Sequence, residues 1–346
     1  MSATNQTTAA VEVSPVGQAT PVPAEAAFTG PRRRSGAWLT QLLGNRKAAF
    51  GGLILLAFAA VAIFAPALAP YDPTEFVGRP HRPPSSEFRL GTTGSGQDML
   101  SQLIYGTRIS LGAGVIVGVA TTVIGALVGL AAGYFRGRVD DFLSLLTNVM
   151  LIIPGLPLLV VLAAFLPAGF WTTVMVLIVA GWAWPARVLR SQTLSLREKD
   201  FVSSALVSGE GSWRIMLREI LPNMMSIVAA GMFGAIIYAI GAQAALEFLG
   251  LGNPSAISWG TILYWAGNNA GLLVGAWWTF VPAGLCIALV AFAFALVNYA
   301  IDEITNPRLR SQRETNLALR RHRRQLGVSR ATPVLRSAGQ HRAAGD

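Results

Sequence analysis

Six stretches of the chain are almost continuously apolar, and each is followed by a more polar connecting segment. They cover residues 48–70, 110–135, 142–166, 171–188, 224–246 and 276–301. A helix that crosses a bilayer needs about 20 mostly apolar residues, and each stretch is close to or above that length. The pattern therefore predicts an all-α, polytopic membrane protein with six transmembrane helices.

The second stretch contains small residues at helical spacing. Gly114, Gly118, Gly125 and Gly129 recur every four or seven positions, so they share one side of a helix. Small residues let the backbones of neighbouring membrane helices approach closely. We expect this side of the helix to pack tightly against other helices.

Two connecting segments are too long to be simple turns. Residues 71–107 are polar and rich in proline, and residues 189–223 are charged with apolar residues at helical spacing. An amphipathic segment of the second kind can lie on lipid or dock on a partner protein. The first 44 residues are small, polar and Pro-containing, and residues 311–346 are Arg-rich. Both ends are predicted to be solvated tails that flank a membrane domain at 45–310. The N-terminal tail is also predicted to be disordered.

Composition and charge support this organisation. The chain is 53% hydrophobic and only 13% charged, whereas soluble domains carry roughly 25% charged residues. Its net charge of +10 comes from arginines in the tails and in alternate connecting segments, which argues against nucleic-acid binding. Because cytoplasmic loops of membrane proteins are enriched in Lys and Arg, both termini and residues 189–223 are predicted to be cytoplasmic. Residues 71–107 are then external.

Several kinds of chemistry are excluded or disfavoured by the sequence. The two lysines, Lys47 and Lys199, do not follow the glycines of a phosphate-binding loop, so ATP hydrolysis by this chain is not expected. The histidines lie outside the apolar stretches, and no cluster has metal-ligand spacing. Ion-coupled carriers usually place ionisable residues at mid-membrane, and the stretches hold almost none. Any energy input is therefore expected from another chain.

The segment DFVSSALVSGEGSWRIMLREILPN, residues 200–223, resembles the EAA loop of membrane subunits of ABC importers. Gly209 and the Leu221-Pro222-Asn223 triplet match at the family's spacing, and Ala205 matches the second alanine. Ser203 and Ser204 replace the usual glutamate and first alanine. These departures weaken any polar contact that this glutamate would make, while the helix–Gly–helix pattern is kept.

Further motifs are similar to the dipeptide/oligopeptide/nickel permease family, C-type subunit. They include APYDP at 69–73, RLGTTGSGQDMLSQLIYGTRISL at 89–111, GYFRGRVDD at 133–141, FLGLG at 248–252, SWG at 258–260 and NPRLR at 306–310. In the second motif Thr93 stands where the family has Asp, and Gln97 and Gln102 stand where it has Arg. The resemblance covers about residues 44–310.

This resemblance implies a type I ABC importer permease fold in the inner membrane of a prokaryote. It implies a second, B-type permease subunit, two cytoplasmic ATPase subunits and an external substrate-binding protein as partners. No cofactor is expected on this chain, since ATP and Mg would be used by the ATPase subunits. The EAA-like loop would contact an ATPase, with these candidate residues: Ser203, Ser204, Ala205, Gly209, Glu210, Trp213, Met216, Leu221, Pro222 and Asn223. Apolar side chains such as Trp213 and Met216 would dock on the partner, and Asn223 would start the next helix.

The solute is left open between peptides and oligosaccharides. Aromatic residues in the outer loops could stack on sugars, although an aromatic belt at the membrane interface is the simpler interpretation. Candidate contacts to the binding protein or solute are Asp98, Tyr105, Glu247, Trp259, Tyr264 and Trp265. Nickel is disfavoured because the lone Cys286 has no partner ligand. A stand-alone channel or secondary carrier is the main alternative class, followed by a membrane-bound enzyme.

Overall fold

A computed structural model describes residues 45–305, and all regular secondary structure in that range is helical. The helices are α1 Arg46–Ile63, α2 Ala65–Leu68, α3 Met99–Phe135, α4 Gly137–Ile152, α5 Gly155–Phe165, α6 Phe170–Gly181, α7 Ala183–Arg197, α8 Asp200–Val207, α9 Ser212–Arg214, α10 Leu221–Asn223, α11 Met225–Phe248, α12 Trp259–Asn268 and α13 Val281–Thr305. A π-helical turn, Ile215–Ile220, joins α9 to α10, and a 3₁₀ turn, Trp277–Thr279, precedes α13. The predicted tails at 1–44 and 311–346 lie outside the described residues.

The all-α membrane architecture is confirmed. In the part described, five segments are long and apolar enough to cross a membrane: α1, α3, α6 with α7, α11 and α13. The pair α4 and α5 passes the same test together but is bent by 88°, which gives up to six spans. Counted as one span, this bent pair would complete the expected six as a broken span.

The second span starts earlier than the hydrophobic pattern predicted. It begins at Met99 rather than near residue 110, so residues 99–107 are helical and do not belong to the external loop. Asp98 caps this helix by accepting a hydrogen bond from the Ser101 N–H at 2.8 Å. The added turns bury polar side chains, among them Ser101 and Gln102, against the same chain. A search for apolar stretches does not detect a helical segment whose buried side chains are polar.

The third span breaks at Pro154. Ile153 has extended backbone with φ −68° and ψ 125°, as expected for a residue before proline. Pro154 lacks an N–H and becomes the N-cap of α5. The prediction of a single helix over 142–166 is therefore wrong, because the range is divided between α4 and α5.

The glycines of α3 do pack closely, as predicted. A Cβ on Gly114 or Gly118 would lie 2.3 Å from Cγ1 of Ile240 or Ile236 on α11. A Cβ on Gly125 or Gly129 would lie 2.6–2.7 Å from atoms of α7. Helix α3 therefore lies between α7 and α11 as the central helix of the bundle.

Four further boundaries differ from the prediction. The fourth span continues as α7 to Arg197, well beyond residue 188. The fifth continues to Phe248, which places Glu247 inside the helix rather than after it. The segment 247–275, expected to be a loop, contains helix α12, and the sixth span begins at Val281 rather than 276.

Candidate functional site

The EAA-like loop folds as a helix, a glycine turn and a second helical segment. Helix α8 ends at Val207, and Gly209 has the left-handed φ of +77° that the turn requires. The N–H of Gly209 donates to the carbonyl of Leu206 at 3.0 Å, and that of Glu210 donates to the carbonyl of Ala205 at 3.1 Å. These two bonds form a Schellman motif, which turns the chain sharply at the end of α8.

One apolar face of the loop is buried in its own chain. Ile215, Met216 and Ile220 are almost completely inaccessible and pack with Leu130 and Leu189 of α3 and α7. The expectation that Met216 docks on a partner is therefore wrong, because its helical face holds the loop to the bundle. Ile215 is buried in the same apolar cluster.

Other apolar residues of the loop are exposed. Val207 is 90% exposed and Trp213 61%, and Leu206 and Leu217 are about half exposed. These four residues, called the apolar tip here, surround the turn at Gly209. Large exposed apolar groups on a polar segment are typical of a contact surface.

The other predicted residues of the loop are distributed over both faces. Ser203, Ser204, Pro222 and Asn223 are exposed, whereas Ala205, Glu210 and Leu221 are half-buried. Glu210 forms an ion pair with Arg214 at 3.3 Å within the loop. Asn223 donates from Nδ2 to the carbonyl of Glu219 at 2.6 Å, and Met224 is the N-cap of α11. The expected capping role of Asn223 is therefore wrong.

A cavity of about 640 Å³ lies between α3, α4, α5, α6, α7 and α11. Its walls are mostly aliphatic, and none of its lining residues is charged. Polar atoms come from Thr121, Thr122, Trp184 and Tyr238, and the break between α4 and α5 forms part of the wall. The sequence did not indicate these residues, since each of them lies within an ordinary apolar stretch.

The external segment before α3 is folded. Asp98 is buried and accepts from both the N–H and the hydroxyl of Ser101. It therefore caps a helix and is not available to a solute, contrary to its assignment as a possible contact. Nearby, hydrogen bonds from the Thr74 hydroxyl and N–H lower the pKa of the exposed Asp72, so this carboxylate stays ionised to lower pH than usual.

The three residues that depart from the family's second motif lie together in this segment. The N–H of Gln97 donates to Oγ1 of Thr93 at 3.1 Å, and Nε2 of Gln102 donates to Oε1 of Gln97 at 2.7 Å. Thr93, Gln97 and Gln102 thus form one uncharged cluster at positions where the family has Asp, Arg and Arg. We interpret the three departures as one correlated change.

Two of the remaining external candidates are buried. Trp259 is fully inaccessible and packs edge-on against Phe58 with ring centroids 5.8 Å apart, and Glu247 is 6% exposed. Neither side chain can reach a solute, because both join the external helix α12 to the bundle. Tyr105 and Tyr264 are half-buried and Trp265 is 41% exposed, so only these three remain open to contact.

Ion pairs link the start of α4 to α7 and to its C-terminal end. Arg190 donates from Nε and Nη2 to the two carboxylate oxygens of Asp140, at 2.5 and 2.7 Å. Arg136 pairs with Glu198 at 2.7 Å. The two-pronged Arg190–Asp140 contact has the geometry of a strong pair, and it fixes the start of the broken span.

Spanning helices around an uncharged cavity, with exposed apolar groups on a connecting loop, are typical of the membrane subunit of a transporter. Residues 122–311 match the family described as "Binding-protein-dependent transport system inner membrane component", and residues 35–84 match the "N-terminal TM domain of oligopeptide transport permease C". The chain belongs to this family and is a C-type permease subunit of an ATP-driven importer.

Relatives of the chain include three with informative names. The oligopeptide transport system permease protein OppC of Bacillus subtilis is 31% identical over 77% of this chain and 87% of its own length. The di/tripeptide transport system permease protein DppC of Pseudomonas aeruginosa is 34% identical, covering 78% and 91%. The glutathione transport system permease protein GsiD of Pectobacterium atrosepticum is 31% identical, covering 78% and 90%.

Proposed function

We propose that this chain forms half of a peptide importer's translocation pathway and is driven by separate ATPase subunits. In this arrangement it pairs with a B-type permease, two cytoplasmic ATPase subunits and an external binding protein. The observation that carries the proposal is the apolar tip of the EAA-like loop. It is exposed in the single chain, whereas Ile215, Met216 and Ile220 of the same loop are packed against the bundle.

The apolar tip supports a docking role for energetic reasons. Burying one large apolar side chain is worth roughly 1.5–3 kcal/mol, so Trp213, Leu206 and Val207 together could hold an ATPase subunit. The loop's own packing, through Met216 and Ile220, would carry movement of that subunit into α3 and α7. The chain itself would bind no ATP, metal or other cofactor and would catalyse no reaction.

The lining of the membrane cavity supports the proposal that the solute is a peptide whose side chains vary. An uncharged wall makes no strong demand on the charge of the solute, which suits peptides of different sequence. Selection would then rest with the binding protein. The relatives named above are described as oligopeptide, di/tripeptide and glutathione permeases, which favours peptides over oligosaccharides.

The orientation proposed is the one expected from the arginine pattern, with both termini in the cytoplasm. Ser85, in the external segment, and Ser208, in the EAA-like loop, are both exposed. With Ser85→Cys, an impermeant maleimide should label intact cells, and with Ser208→Cys it should label only after permeabilisation. The reverse pattern would invert the topology.

The coupling role is tested in the complex assembled with its partner subunits. Trp213→Asp should abolish ATPase activity stimulated by the loaded binding protein, because it places a charge in an apolar contact. Trp213→Phe, which keeps an apolar ring, is the matched control and should retain stimulation. Uptake of labelled di-, tri- and oligopeptides, compared with oligosaccharides, tests the solute class. Normal transport by Trp213→Asp would refute the docking role, and uptake of oligosaccharides alone would refute the peptide assignment.

A further inference from the structure

A buried polar junction lies at the external end of α11. Glu247 is 6% exposed, and Nε2 of Gln243, one turn earlier, donates to its Oε1 at 2.9 Å. The hydroxyl of Ser258 donates a short hydrogen bond to its Oε2. A buried carboxylate is costly unless it is hydrogen-bonded, so the position of Ser258 is strongly fixed by this acid.

Ser258 is also the residue that starts the external helix α12. Its side chain accepts a hydrogen bond from the Thr261 N–H at 3.1 Å, and the Thr261 hydroxyl accepts one from the Ser258 N–H at 2.9 Å. This capping box fixes the first turn of α12. The next N–H, of Trp259, donates to Oγ of Ser110 on α3 at 3.0 Å. Glu247 therefore connects α11 to a helix start that is itself attached to α3.

The junction is packed without spare room on either side of the acid. A Cβ on Gly260 would lie 2.5 Å from Oε2 of Glu247 and 2.8 Å from Cα of Ala244. A Cβ on Gly252 would lie 2.6 Å from Cγ of Glu247. Such approaches are far closer than carbon atoms tolerate, so only glycine fits at either position. Helix α12 consequently cannot shift along α11 without breaking the contact.

Helix α11 connects this junction directly to the EAA-like loop. It begins at Met225, immediately after the buried Met224 of the loop's core, and runs unbroken for 24 residues to Phe248. At 1.5 Å per residue that is a rod of about 36 Å. The broken span α4–α5 offers no comparable rigid path. A displacement of the loop would therefore reach the external face through α11, alongside α3, which is also unbroken and contacts both the loop's core and Trp259.

We propose that Glu247 is a positioning residue that locks the external helix α12 to α11, so that the external surface and the EAA-like loop move together. The inference rests on the proposed importer function. The half-exposed Trp265 of α12, together with Tyr264, would then belong to the surface that senses the binding protein. Glu247 acts through Ser258 and contacts no solute.

The test uses the complete transporter reconstituted with its ATPases and binding protein. Gly260→Ala forces α12 away from Glu247, whereas Gly267→Ala on the same helix meets no atom within 4 Å and is the matched control. Basal ATPase activity should be retained in both variants. Stimulation by the loaded binding protein should fall about tenfold in Gly260→Ala, a typical size for an energetic coupling between sites, and should stay unchanged in Gly267→Ala.

A second variant is needed in case Gly260→Ala prevents assembly of the transporter. Glu247→Gln keeps the side-chain volume but cannot accept from both Gln243 and Ser258 as the carboxylate does, so it should assemble and lose part of the stimulation. Full stimulation in Gly260→Ala or in Glu247→Gln would overturn the proposal. Failure of both to assemble, while Gly267→Ala assembles, would also overturn it in favour of a purely structural role. If the unmodified complex shows no stimulation at all, the proposed importer function fails instead.

Discussion

The two ends of helix α11 differ in which side chains are exposed: apolar ones at one end are exposed, and polar ones at the other are buried. Before the first residue of α11 the EAA-like loop presents exposed apolar groups, with Trp213 61% and Val207 90% accessible. At the external end the polar side chains of Glu247 and Ser258 are buried and hydrogen-bonded to each other. The apolar surface of the EAA-like loop is thus left exposed, whereas the junction at the other end is completed within the chain.

This contrast separates contact residues from residues that transmit movement. Both regions contain candidates that the sequence marked for partner or solute contact, yet Met216, Glu247 and Trp259 are buried in their own chain. Exposed Trp213 and buried Met216 lie only three positions apart. Substitutions should therefore divide sharply into those that disturb folding and those that disturb only assembly or coupling.

The largest effect on stability is expected at the buried face of the loop. Met216→Ala should destabilise the chain by about 2–5 kcal/mol, the usual range for emptying a core position. Trp213→Ala should change stability by less than about 0.5 kcal/mol, since the side chain is exposed. Thermal unfolding of the detergent-solubilised chain measures both. Equal losses in the two variants would erase the distinction between the two faces.

The close approach of α3 and α11 gives the next largest effect. In Gly118→Ala the new Cβ would lie 2.3 Å from Cγ1 and 2.8 Å from the backbone nitrogen of Ile236. Forcing an atom into such packing costs about 1–3 kcal/mol. Gly112→Ala on the same helix has no neighbour within 4 Å and should leave the unfolding temperature unchanged. Tolerance of both substitutions would show that the helices can separate at little cost.

The turn of the loop gives a somewhat smaller effect. Gly209→Ala places a side chain at φ +77°, which costs roughly 1–2 kcal/mol for a residue other than glycine. Gly211→Ala is the matched control, because Gly211 has φ −68° and open space around it. Thermal unfolding should separate the two, and ATPase coupling should weaken only with Gly209→Ala. A drop in both or in neither would contradict the role given to this turn.

The smallest effect concerns the uncharged cluster of the external segment. Gln97→Arg alone should cost about 1 kcal/mol, because it removes the Oε1 acceptor of the Gln102 side-chain amide. The triple change Thr93→Asp, Gln97→Arg and Gln102→Arg restores the family's charged residues and should recover most of that loss. A cycle of single and combined variants measures the coupling. Strict additivity would show that the three departures are independent.

The sequence predicted the features that depend on local pattern. The apolar stretches indicated the spans, and glycine spacing indicated the close packing of α3. The motif around Gly209 indicated the turn that the structure contains. Each of these depends on residues near one another in the chain.

The features that sequence reasoning missed depend on contacts between distant residues. The start of α3 is polar, and its helix is stabilised by Asp98 and by burial against the external segment. Glu247 looked like the edge of an outer loop because its partner Ser258 lies on a helix that hydropathy does not mark. The cavity is lined by ordinary apolar residues of several helices, so no single stretch indicates it.

The placement of the two donors to Glu247 has a consequence for biogenesis. Gln243 and Ser258 lie 4 and 11 positions from Glu247 in the chain. By contrast, Ser110 lies 149 positions from Trp259, whose N–H it accepts. The carboxylate can therefore be satisfied as soon as a short piece of nascent chain follows it into the membrane. Docking onto α3 can come later. An acid that would otherwise oppose insertion is thus accommodated before the bundle closes.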